Sequence, residues 1–116
     1  MIALIQIAAG RKMAEDSIND QELEEIFRKM ADSFIDSANE FAENNSQENV
    51  GLALLYAAAR FNAHVVSQHA PTLEDYEKDL PRAREFFGGQ YQQMLEENLE
   101  DYKSVYSKYA HLKKKQ

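Results

Sequence analysis

From Leu73 to Leu112 one stripe of residues runs through the chain at intervals of three or four and never loses phase. Its members are Leu73, Tyr76, Leu80, Ala83, Phe87, Tyr91, Met94, Asn98, Tyr102, Val105, Tyr109 and Leu112. Side chains spaced this way share a side only on an α-helix, whereas a strand would need strict alternation. Pro81 and the Gly88-Gly89 pair lie inside the run. Proline removes a helical N–H and crowds the preceding turn, and each glycine costs about 1 kcal/mol against alanine. Because the phase survives both, the pattern predicts one long helix, kinked near Pro81, rather than two unrelated ones.

The same reasoning places two helices before it. Asn19 followed by Glu22 has the spacing of a capping box, and Asp20, Glu22, Glu24 and Glu25 suit the positive end of a helix dipole. The stripe Leu23, Ile26, Phe27, Met30, Phe34, Ala38 and Phe41 then keeps helical phase as far as the polar cluster Glu43-Asn44-Asn45-Ser46. Ser46 is set to cap a second helix, built on the apolar run to Ala70. Its core stripe is Gly51, Leu54, Leu55, Ala58, Phe61, Asn62, Val65 and His69. The opposite face, with Ala53, Tyr56, Arg60 and Ala63, is small and only half polar. Pro71 ends this helix and Thr72 can cap the third. With only four Gly and two Pro in 116 residues, short links join few, long elements. The expectation is an all-α fold of three long antiparallel helices, up-down-up, the third the longest.

Hydrophobic content of 44% and charged content of 28% are those of a globular chain long enough for one domain. We expect that domain over residues 13–112, with a basic tail at 113–116. Residues 1–12 read as a peripheral extension. The apolar stretch Met1–Ala9 precedes its charges instead of following them and is far shorter than the ~20 residues of a membrane span. A second Met at position 13 offers an ordinary start. No membrane association is therefore expected. A net charge of −7 opposes binding to nucleic-acid phosphates. The absence of Cys excludes disulfides and thiolate chemistry and fits a reducing, cytoplasmic setting.

Three segments carry a family likeness: MADSFIDSAN (Met30–Asn39), LLYAAARFNAHVVSQHA (Leu54–Ala70) and MLEENLEDY (Met94–Tyr102). Together they resemble a family of small bacterial proteins classed as a domain of unknown function, over most of the chain from about Leu23 to Tyr109. The run Tyr56 to Asn62 is the most specific part. The resemblance implies a compact all-α domain of the bacterial cytoplasm and implies no activity.

The residues themselves offer little chemistry. A carboxylate-bridged di-metal site in a helical bundle uses Glu-x-x-His pairs, but Phe61, Val66 and Lys108 precede His64, His69 and His111 by three. His64 and His69 stand about 140° apart round a helix. No metal, cofactor or catalytic residue is assigned. Arg60 and His64, one turn apart, are the pair that a phosphate-handling enzyme such as a ribonuclease would use, the cation orienting a phosphate and the imidazole moving a proton. Their separation is shorter than that in helical ribonucleases, and a plainer role for Arg60 is an ion pair with Asp36 or Glu40. Asn62 and Asn98 fall within apolar stripes and are expected to be buried polar groups that set helix register. Asp32, Asp36 and Glu40 form an acidic line of the kind that faces solvent.

Length then argues for assembly. A third helix near ~60 Å outruns two neighbours near ~36 Å, leaving Tyr102, Val105, Tyr106, Tyr109 and Leu112 without cover. With Tyr56 and Arg60 these form the expected interface of a homodimer. The sequence thus reads as a non-catalytic interaction or assembly module, with a further protein partner possible and the phosphate-handling enzyme as the alternative.

Overall fold

A computed structural model describes residues 19–113, with side chains as far as Lys108. The expected peripheral segment 1–12 and the tail beyond Lys113 lie outside the described residues. Every element is helical: α1 spans Asp20–Ala42, α2 Gln47–Gln68 and α3 Leu73–Lys113. The fold is all-α.

Each helix start is made by the residue expected to make it. Asn19 is extended, and its Oδ1 accepts the Glu22 N–H at 2.8 Å. Glu22 returns a bond through Oε1, taken from the Asn19 side-chain amide at 3.2 Å. Ser46 Oγ accepts the Asn49 N–H at 3.1 Å. Thr72 Oγ1 accepts the Asp75 N–H at 3.1 Å and donates to Asp75 Oδ2 at 2.9 Å. The first N–H groups of a helix have no partner within it, and these side chains supply one.

The ends are as local in origin. Beyond Ala42 the Glu43 and Asn44 N–H groups reach back three residues to the carbonyls of Glu40 and Phe41, and Asn45 Nδ2 donates to the Phe41 carbonyl at 2.9 Å. At the end of α2, His69 and Ala70 make the same tightened turn onto Val66 and Ser67, after which Pro71 cannot continue the ladder. In contrast, α3 passes through Pro81 and Gly88-Gly89 unbroken for 41 residues. The Glu77 carbonyl loses its helical donor at Pro81, but the stripe on either side holds the phase. The length mismatch is present: α3 has 41 residues, α1 23 and α2 22.

Packing divides the chain into two units, one ending at His64 and the other beginning at Val65, so the division falls inside the continuous helix α2. In the first unit Leu23 is buried, and Phe27, Ala31, Ala38, Ala42, Val50 and Asn62 are half-buried. In the second, Val65, Val66, Tyr76, Leu80, Ala83, Phe87 and Met94 are half-buried, and Phe86 meets Phe87 edge to face at 5.1 Å. Among the described residues Leu23 alone is buried.

Candidate interaction surface

What distinguishes this chain chemically is the amount of apolar side chain left uncovered. On α1, Met30, Phe34, Ile35 and Phe41 are exposed, although three of the four belong to the stripe expected to form a core. On α2 the stripe read from the sequence is covered only at its far end. Gly51, Leu54, Leu55 and Phe61 are exposed, and half-burial among its members is confined to Asn62 and Val65. On α3 the stripe is half-buried at Tyr76, Leu80, Ala83, Phe87 and Met94, and cover then stops: from Leu95 to Lys108 every residue is exposed.

The residues expected at an interface stand on these surfaces. Tyr56 is 68% exposed, with Arg60 one turn on and also exposed. Tyr102 is 65% and Tyr106 74% exposed, with Val105 between them. The backbone at Tyr109 and Leu112 continues α3, while their side chains lie outside the described residues. Leu52, Leu95 and Leu99 are further exposed side chains that the stripes did not include. Leu95 and Leu99 sit one residue from stripe members Met94 and Asn98, so a second apolar line beside the first was the available signal.

Expectations about three polar groups are revised. Asn98 is exposed, not buried: its Nδ2 donates to the Met94 carbonyl at 2.7 Å, one turn back, a bond that needs no neighbouring helix. Asn62 is half-buried, while Ala58 and Phe61 beside it on the stripe are exposed. Arg60 forms neither of the ion pairs expected with Asp36 or Glu40. Two ion pairs, Lys78–Glu74 at 3.4 Å and Lys103–Glu100 at 3.9 Å, each lie within one turn of α3 on its solvent side. Such exposed pairs are worth less than about 1 kcal/mol.

Arg60 and His64 lie one turn apart on α2 and both are exposed. Among the described residues no group of three or more His, Asp or Glu side chains converges as a metal site would require. Helix α2 is long and apolar enough to cross a membrane, a property of length and composition that core helices of soluble proteins share.

The fold and surface define the class: an all-helical domain whose described helices leave much of their apolar stripes exposed. Residues 27–103, well over half the chain, match the family described as protein of unknown function (DUF3144), and the chain belongs to that family. The matched span starts four residues inside the described first helix stripe at Phe27 and closes at Lys103, so it contains Tyr56, Arg60 and Tyr102. No curated protein and no solved structure matches the chain.

Proposed function

We propose that this protein is a non-catalytic assembly module that works as a homo-oligomer, most simply a dimer. One observation carries the reading: large apolar side chains are exposed along all three helices while Leu23 alone is buried among the described residues. Ordering a residue costs about 1–2 kcal/mol of conformational entropy, and burial of apolar area is the main term that offsets it. A chain that exposes Phe34, Phe41, Tyr56 and Tyr102 has left most of that term unused, and association of copies would recover it. Obligate homodimers often have no stable folded monomer, so their folding and assembly are one equilibrium. The cytoplasmic setting expected from the sequence is part of this reading.

Light scattering on the full chain in detergent-free buffer, repeated across a dilution series, tests it. The expected result is a mass at a multiple of 13.3 kDa, with helical circular dichroism that falls as the oligomer dissociates. A helical monomer at every concentration overturns the reading. So does co-flotation with phosphatidylcholine vesicles, which would assign the apolar surface of α2 to a membrane.

A further inference from the structure

The end of α3 carries more information than exposure alone. Tyr91, Leu95, Asn98, Tyr102 and Val105 succeed one another by four, three, four and three, and the spacing continues through Tyr109 and Leu112. That is the 3.5-residue repeat of a helix paired with another helix over three heptads. It begins where cover from the chain itself ends, since Met94 is half-buried and everything from Leu95 to Lys108 is exposed. The outward positions are Glu96, Glu97, Glu100, Lys103, Ser104 and Ser107, all polar, and the Lys103–Glu100 pair lies among them.

The positions flanking the seam decide what kind of helix fits. One flank carries Leu99 and Tyr106, the other Asp101 and Lys108. In a parallel pair each flank meets the opposite flank of its partner. Asp101 would then face the partner's Tyr106, and Lys108 would face the partner's Lys113, an uncompensated charge and a like-charge contact. In an antiparallel pair each flank meets its own kind. With Tyr102 packed beside the partner's Val105, Asp101 faces the partner's Lys108 and Leu99 faces the partner's Tyr106, and two-fold symmetry repeats both contacts. Asn98, whose amide already donates to the Met94 carbonyl, then comes opposite the position of the partner's Tyr109 and not opposite itself.

We propose that the C-terminal half of α3 docks on the same segment of a second copy of this chain, antiparallel, with Asp101 of each copy against Lys108 of the other. This rests on the self-association proposed above and adds its surface, direction and register. Among the described residues Asp101 and Lys108 take part in neither ion pair of their own chain, so the contact displaces nothing.

The chain has no cysteine, so introduced thiols report contacts directly. Leu95→Cys and Leu112→Cys chains are prepared separately, mixed to exchange subunits and oxidised. In the antiparallel register Leu95 lies against the partner's Leu112, while two copies of either position are ~25 Å apart, far beyond the ~7 Å limit for a disulfide. The expected result is a 95–112 disulfide in the mixture and none from either variant alone. Disulfides from each variant alone would establish a parallel pair. No disulfide from a protein that light scattering shows to be a dimer would place the interface elsewhere. Either outcome overturns this inference and leaves self-association standing, whereas a monomer removes both. Charge reversal provides a second readout that needs no thiol. Asp101→Lys should weaken the dimer about tenfold, and adding Lys108→Asp should restore it. Equal weakening by both single variants and the double variant counts against the register.

Discussion

Replacing Tyr102 by Ala separates a surface residue from an interface residue more sharply than any other change in this chain. Tyr102 is 65% exposed, and every residue from Leu95 to Lys108 around it is exposed as well. An aromatic side chain buries about 150–250 Å² when fully covered, which leaves on the order of 130 Å² for a partner to cover. At ~25 cal/mol/Å² that area corresponds to ~3 kcal/mol, an upper bound because not all of it becomes apolar contact. Taking about 2 kcal/mol per copy, a symmetric dimer loses ~4 kcal/mol, close to a thousandfold in dissociation constant. A monomer would lose less than about 0.5 kcal/mol from the same change, since an exposed side chain packs on nothing. Sedimentation equilibrium of wild type and Tyr102→Ala gives both constants directly. Lys103→Ala serves as the control: it removes only an exposed pair on the outward side, and its constant should match wild type. Equal dissociation constants for Tyr102→Ala and wild type would refute the reasoning. Loss of helicity at concentrations where Tyr102→Ala is still dimeric would show instead that Tyr102 supports its own chain.

Asn19→Ala removes both bonds of the capping pair with Glu22 and should cost about 1 kcal/mol in urea unfolding at fixed protein concentration. Gly89→Ala should raise stability by up to about 1 kcal/mol, because the position is mid-helix and an added Cβ meets no atom within 4 Å; a lowered midpoint would mean that another chain approaches there. The Arg60→Ala/His64→Ala double variant should match wild type in degrading a mixed RNA pool, and metal-independent cleavage that vanishes in the double variant would restore the phosphate-handling alternative.

Helix boundaries were legible because they are decided within a few residues. Asn19, Ser46 and Thr72 each bond an N–H three positions on, and Pro71 stops a ladder through its own covalent structure. The continuity of α3 through Pro81 was legible for a similar reason, since phase on both sides of an interruption is a property of spacing alone. The exposed apolar surface was half legible. Tyr102, Val105 and Tyr106 followed from a length mismatch that residue counts already contain. The apolar line through Leu95 and Leu99 is less legible, because it runs beside the stripe that carries Met94 and Asn98 and both fit helical periodicity.

What the sequence determined, then, is everything set by bonds between near neighbours: three helices, their caps, and the apolar stripes they carry. It could not determine which stripe meets another element, because that depends on what stands opposite, and periodicity describes a helix only to itself. Asn98 shows the difference. Its place in an apolar stripe implied burial, yet the chain leaves it in solvent with its amide bonded to the Met94 carbonyl one turn back. Only the tertiary structure shows that cover along α3 ends at Met94, and that point separates the half-buried part of the helix from the exposed part.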